Sequence, residues 1–145
     1  MIEPQQKKDF AAAMRAGQTQ IAPGCFDAMS AMMAANAGAT AVMTSGFAVS
    51  ASHLGFPDVE LYTMTENLNV VRNIANAVDV PVIADTDTGY GNAMNVMRTV
   101  REFEQAGDPT IGISGWIPKG WKAEAISKAI QVNPRTTLSK GSVAK

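Results

Sequence analysis

Asp85 and Asp87 stand two residues apart in the stretch VPVIADTDTGYG at 80–91, after a short apolar run and ahead of two glycines. In an extended segment, positions two apart share a side, so both carboxylates present together at a strand end. That suits a hard cation: magnesium favours oxygen ligands, often takes only one or two protein carboxylates, and leaves the rest of its octahedron to water or substrate. Two like charges this close also need such a cation, or a proton, to coexist. The same letters equally describe an Asp-rich turn whose side chains bond nearby backbone amides.

Other residues offer chemistry more weakly. Ser45 and Gly46 are small enough to let the main chain approach an anion, giving N–H groups and a hydroxyl to a carboxylate or phosphoryl group; the plain alternative is a tight strand-to-helix turn. Asp58, behind Pro57 in LGFPDVEL, suits a gate, an acid or a base, or is an ordinary exposed loop aspartate. His53 is the sole histidine, so no histidine pair or triad assembles around it and a surface or core role is expected. Cys25 lies where a helix begins, which lowers a thiol pKa, yet it reads better as a small buried hydrophobe.

These residues need elements to hold them. Val82, Ile83 and Ala84 read as a strand buried on both faces, which puts the acidic pair at its C-terminal end, where parallel α/β folds build sites. Residues 40–44, TAVMT, read as a second buried strand, followed by a small-residue loop through 45–53. Residues 19–22 are a short strand before Pro23 and Gly24, and the next helix puts Phe26, Met29, Met33 and Ala37 on one face and ends at Gly38. Thr65 is the expected N-cap of a helix whose stripe is Leu68, Val71, Ile74 and Val78. Asn92 caps another with Ala93, Val96, Met97, Val100 and Phe103, stopped by Gly107. Methionines at helical spacing are read as core.

The order βαβαβα implies right-handed crossovers and a parallel sheet, open or part of a barrel. A complete eight-fold barrel takes about 250 residues, so a chain of 145 holds about half of one. The composition is that of a soluble domain: 46% hydrophobic, with 12 basic and 13 acidic residues and a net charge of -1. That leaves no electrostatic footprint for nucleic acid or an anionic membrane, and small molecules or proteins are the expected partners. One cysteine rules out an intramolecular disulfide and a cysteine zinc cluster, no stretch nears the length of a membrane helix, and the opening lacks a signal-peptide core, so the expected location is the cytoplasm.

PGCFDAMSA at 23–31, TSGFAVSASHLGFPD at 44–58 and PVIADTDTGYGNAMNVMRTVREFEQAG at 81–107 together resemble the isocitrate lyase and phosphoenolpyruvate mutase superfamily. The likeness is nearest to methylisocitrate lyase, dimethylmalate lyase, oxaloacetate decarboxylase or hydrolase, and the carboxyphosphonoenolpyruvate and phosphoenolpyruvate mutases. The resemblance implies an Mg2+-dependent enzyme on a (β/α)8 barrel that breaks or makes a C–C bond on a small 2-hydroxy or 2-oxo carboxylate, or moves a phosphoryl group. It implies metal-site roles for Asp85 and Asp87, substrate-binding roles for Ser45, Gly46, Phe47 and Asp85, and a mobile gate at Asp58.

After Gly107 the pattern departs. A fourth strand bearing a glutamate in a run like EDQ is expected, and Ile113, Ser114 and Gly115 stand there instead; Pro118 and Lys119 still align with the family's proline and catalytic lysine, but no cysteine, glycine and histidine follow. The expected organisation is therefore residues 1–107 as the N-terminal part of a barrel domain and 108–145 as a divergent, partly disordered tail. A frameshift or alternative splice with an early stop explains such a switch; an intact frame at the locus, with no family-like sequence in either alternative frame, would sink that explanation. A half-barrel leaves strand edges and apolar surface uncovered, which favours a homo-oligomer or association with a full-length relative, and solitary activity is not expected. A non-catalytic interaction module is the competing reading from outside enzymology.

Overall fold

The computed structural model describes residues 4–106 and 110–112, with side chains described from residue 9 to 106 except at 11. In chain order the elements are α1 (Pro4–Arg15), β1 (Gly24–Cys25), α2 (Ala28–Asn36), β2 (Val42–Thr44), α3 (Gly46–Leu54), α4 (Met64–Ala77), β3 (Val82–Asp85), α5 (Ala93–Gln105) and β4 (Thr110–Gly112). All four strands are parallel and neighbour one another in the order β1-β2-β3-β4. A doubly wound sheet reverses its strand order at a switch point, whereas strands laid down in strict succession with helices between them form an arc of a (β/α)8 barrel. Register pairs Cys25 with Thr44 and Asp85 with Gly112. The C-terminal strand ends thus share one rim.

The first strand lies later than residues 19–22. Met43 donates its N–H to the Pro23 carbonyl and Ser45 donates to that of Cys25, so the ladder starts at Pro23, where a missing N–H does no harm on an edge; Ile21 is 75% exposed. The stretch expected as a loop at 45–53 is the helix α3, capped by Ser45 and closed by Gly55 in the left-handed region. Helix α1 had no counterpart in the expected order. The strand expected at 40–44 is shortened to Val42–Thr44, the one expected at 82–84 runs one residue further to Asp85, and a fourth strand is present as β4.

Helix α2 begins at an Asp27–Ser30 capping box and ends near Gly38, where Ala39 and Gly38 donate to the carbonyls of Ala34 and Ala35, the crossed bonds of a Schellman stop. Its apolar side is not the expected one. Met29 and Met33 are 68% and 65% exposed while Ala31 is fully buried, because the small side chains of Ala31, Ala34 and Ala35 are what pack into the core. Helix α4 is capped by Thr63 rather than Thr65, in a box with Glu66. Its stripe Leu68, Val71 and Ile74, with Val78 beyond it, is buried as expected. Asn92 caps α5 as expected; Val96, Val100 and Phe103 are buried, whereas Ala93 is exposed.

Two apolar clusters flank α4. Cys25, Ala31, Val42, Val49, Tyr62, Val70, Ile74, Val78 and Val82 form one; Leu68, Val71, Ala84, Val100, Phe103 and Ala106 form the other. Along β2 and β3 the helix-side residues Val42, Thr44, Val82 and Ala84 are buried, but the register partners Met43 and Ile83 on the opposite face are not. The expectation of burial on both faces is corrected accordingly: among the described residues only the helix side is covered, and the other face is the barrel interior. No described helix is long and apolar enough to cross a membrane. Gly107, Pro118, Lys119, the boundary expected at 107–108 and the expected tail at 108–145 apart from 110–112 lie outside the described residues.

Candidate functional site

Asp85 ends β3 with its backbone tied on two sides. Its N–H donates to Thr44 Oγ1 at 2.8 Å, and its carbonyl accepts from Asn67 Nδ2 at 2.8 Å. The chain then leaves the extended region at once: Asp87 has φ +46°, Tyr90 +62°, Gly89 +90° and Gly91 +139°. The Asp87 N–H donates to Asp85 Oδ1 at 3.2 Å, so the turn reading of DTDTG describes the local bonding. An extended pair of same-side residues does not. The carboxylates meet because the backbone turns between them.

They meet under Gly46. A Cβ built on that glycine would lie 3.3 Å from Asp85 Oδ2, 3.4 Å from Asp87 Oδ1 and 2.7 Å from the Tyr62 hydroxyl; the missing side chain is what lets the first turn of α3 sit against all three. Tyr62, 3% exposed, donates its hydroxyl to Asp87 Oδ2 at 2.7 Å. Asn67 Nδ2 also donates to the Tyr90 hydroxyl oxygen at 2.7 Å, and the two tyrosine rings meet edge to face with centroids 6.5 Å apart. Asn67 Oδ1 is buried with no hydrogen-bond partner among the described residues. Thr99 Oγ1 donates to the Gly89 carbonyl at 3.0 Å, securing the far side of the turn to α5.

Burial pushes the Asp87 carboxyl above its ordinary pKa; the Tyr62 hydrogen bond opposes this, while the charges of Asp85, Asp58 and Glu60 add to it. Tyr62 and Tyr90 are raised as well, in both cases chiefly by burial. Both hydroxyls therefore stay protonated and serve as hydrogen-bond donors or acceptors beside the carboxylates.

The remaining expected residues fall into three groups. Ser45 caps α3 and Gly46 and Phe47 open it, with Gly46 against the carboxylates. The Ser45 N–H is committed to the Cys25 carbonyl and its Oγ accepts from Ala48 at 3.3 Å, so the main-chain donors at this helix start are those of Gly46 and Phe47, which have no acceptor within the helix. Phe47 is 62% exposed. Asp58 is exposed and reaches the cluster through its charge on Asp87. Cys25 is buried and burial raises its thiol, opposite to an activated nucleophile, and His53 lies exposed in the last turn of α3. A groove of about 570 Å3 lined by Tyr62, Thr88, Tyr90, Asn95 and Arg98 adjoins the turn. A second, of about 500 Å3, lies between α2 and α4; neither groove is lined by Asp85 or Asp87.

Thr44, Tyr62, Asn67 and Tyr90 were not expected from sequence. Tyr90 had a signal, being inside the same motif as the aspartates. The other three come from 18 to 41 residues away, and only the fold brings them in.

A family described as phosphoenolpyruvate phosphomutase matches residues 10–115. The chain belongs to this family. Over 87 residues it is 58% identical to 2,3-dimethylmalate lyase of Eubacterium barkeri, covering 60% of this chain and 30% of that protein. Among solved structures, phosphoenolpyruvate phosphomutase from Streptomyces platensis subsp. rosaceus superposes with TM-score 0.77 at 34% identity, over 91% of this chain and 52% of that one. A phosphonopyruvate hydrolase complexed with oxalate and magnesium gives TM-score 0.74 at 32% identity, over 90% of this chain and 46% of that one. The chain spans about a third of the length of the curated relatives it matches. The phosphomutase family match runs past Gly107 through β4, further than the motif likeness at 81–107.

The donor set of this family member is all oxygen and closely spaced, with Asp87 raised first by burial and then by the neighbouring carboxylates, and so fits a hard divalent cation. Among the described residues no third histidine, cysteine or carboxylate joins the two into a larger group. Magnesium tolerates that, since it keeps several waters and takes few protein ligands.

Proposed function

We propose that this chain carries the metal and carboxylate-binding rim of a magnesium-dependent C–C bond lyase acting on a small 2-hydroxy or 2-oxo di- or tricarboxylate of the methylisocitrate, dimethylmalate or oxaloacetate type. The observation that carries the reading is the convergence of Asp85 and Asp87 beneath Gly46 at the start of α3. Asp85 and Asp87 hold the cation, which supplies Lewis-acid stabilisation of the enolate charge that C–C cleavage develops. The Gly46 and Phe47 amides and the Ser45 hydroxyl receive a substrate carboxylate at the positive end of the helix. Asp85 contacts both metal and substrate, and Asp58 acts as a gate or proton-handling group from its exposed loop. Lys119 is the proposed catalytic lysine. Thr44 and Asn67 fix the Asp85 backbone, and Tyr62 fixes the Asp87 side chain.

The 58% identity to 2,3-dimethylmalate lyase favours lyase chemistry over the mutase chemistry that the family description and the Streptomyces platensis structure equally suggest. Turnover of dimethylmalate, methylisocitrate, oxaloacetate and a phosphonate, measured with and without magnesium on the native chain and on Asp85→Ala, tests the reading. Magnesium-dependent cleavage that Asp85→Ala reduces by 100-fold or more, roughly the scale of losing one electrostatic stabiliser, supports it. The exposed inner face at Met43 favours a second reading, a non-catalytic module that pairs with a longer relative. Folded, soluble chain with no turnover of any of the four substrates selects that alternative.

A further inference from the structure

We propose that Tyr62 sets the cation selectivity of this site by holding one oxygen of Asp87 away from the metal. The inference rests on the reading of Asp85 and Asp87 as magnesium ligands. One oxygen of each carboxylate accepts a hydrogen bond, within the turn for Asp85 and from Tyr62 for Asp87, and the other faces Gly46. Asp85 Oδ1 accepts from the Asp87 N–H at 3.2 Å, and Asp87 Oδ2 accepts from the Tyr62 hydroxyl at 2.7 Å. Asp85 Oδ2 and Asp87 Oδ1 are the two oxygens that face Gly46, at 3.3 and 3.4 Å from its absent Cβ.

Tyr62 is well placed to keep that arrangement. Its ring belongs to the core cluster with Val49, Val70 and Ile74 and meets Tyr90 edge to face, so the hydroxyl is not free to swing aside. Rotation of the Asp87 carboxylate would break a short bond and strand a buried hydroxyl. The outcome is ligation through one oxygen. Magnesium accepts this readily, because it demands a compact octahedron and fills it with waters. Calcium is larger, takes about six to eight oxygens and draws on bidentate carboxylates. A clamp on Oδ2 therefore discriminates against calcium without touching the ion. Tyr62 is a positioning residue in this scheme.

Calorimetric titration of the full chain with magnesium and, separately, with calcium tests it, on native protein and on Tyr62→Phe, with circular dichroism to follow folding. The expected result is that Tyr62→Phe tightens calcium relative to magnesium by about tenfold, the lower end of the scale for one hydrogen bond to a charged group. A merely structural role moves both affinities together, and an unchanged ratio overturns the proposal. Native chain that prefers calcium to magnesium also overturns it, and that measurement stands whether or not Tyr62→Phe folds. Folded native chain that binds neither cation removes the magnesium reading itself and the proposal with it. Binding of both with an unaltered ratio in Tyr62→Phe removes only the role of Tyr62.

Discussion

Strands β2 and β3 run side by side and both pass the chain to a helix, but they do so at very different conformational cost. After Thr44 a single residue is enough: Ser45 ends the strand with its N–H on the Cys25 carbonyl and caps α3 with its side chain. After Asp85 the chain winds through 86–91 before Asn92 caps α5, and four of those positions have positive φ, two of them non-glycine. A left-handed residue with a side chain costs about 1–2 kcal/mol, and a bulky one such as Tyr90 is an outlier. The quiet junction delivers a helix start, and the strained junction delivers the carboxylates. Strain of this kind persists where surrounding contacts overdetermine it; here Tyr62 and Asn67 at the start of α4 and Thr99 on α5 do so.

Two glycines break or sharpen that contrast. Gly89→Ala combines φ +90° with a Cβ 2.6 Å from Val96 Cγ2, so backbone strain and overpacking add to an expected loss of about 2–4 kcal/mol. Gly46→Ala meets only overpacking, against the Tyr62 hydroxyl at 2.7 Å, and gains some helix propensity; the expected loss is about 1–3 kcal/mol. Urea unfolding with unchanged m-values measures both. If Gly46→Ala proves the costlier, the short junction is the strained one and the contrast is reversed.

Asp87 provides a smaller and oppositely signed effect. Its carboxyl is raised in the folded chain, first by burial and then by Asp85, Asp58 and Glu60. The folded state therefore binds this proton more tightly than the unfolded state does, so Asp87 destabilises the fold at neutral pH and that penalty is relieved as pH falls through the raised folded value. Asp87→Asn is expected to raise the thermal midpoint of cation-free protein at pH 7. Added magnesium is expected to raise the midpoint of the native chain and leave that of Asp87→Asn unmoved. A lowered midpoint for Asp87→Asn without cation would mean that the Tyr62 bond outweighs burial and charge.

Much of this was readable from the letters, and the exceptions have physical reasons. The stripe Leu68, Val71, Ile74 and Val78 and the cap at Asn92 were legible because periodicity and capping chemistry are local. Thr63 was legible in principle, as the first letter of a T-x-x-E box, but a second threonine at 65 competes for the assignment. The methionines of α2 misled because periodicity reports a face without saying which face is inward; the alanines, small enough for close approach to α4, took the core side. The aspartates were visible as a pair, while the way they meet was not, since it depends on positive φ at Asp87. Tyr62 and Asn67 flank a capping box that marks a helix start and says nothing of a site. Their roles appear only when α4 packs beside β3.

The smallest effect separates the site helices from their neighbours through their caps. Ser45 and Asn92, which start α3 and α5, are neutral, whereas α2 and α4 are capped through carboxylates, Asp27 and the Thr63–Glu66 box. Asp27 is held below its ordinary pKa mainly by the Ser30 amide, and Glu66 mainly by the Thr63 amide. A carboxyl depressed in the folded state contributes stability that is present above its unfolded value, about 4, and is lost as pH falls through the lower folded value. Amide hydrogen exchange, corrected for its intrinsic pH dependence, should therefore show the first turns of α2 and α4 losing protection as pH falls below about 4, ahead of α3 and α5. Glu66→Gln should remove the dependence from α4 alone. Loss of protection in α3 and α5 in step with the others would mean that the acid sensitivity is not set by these two caps.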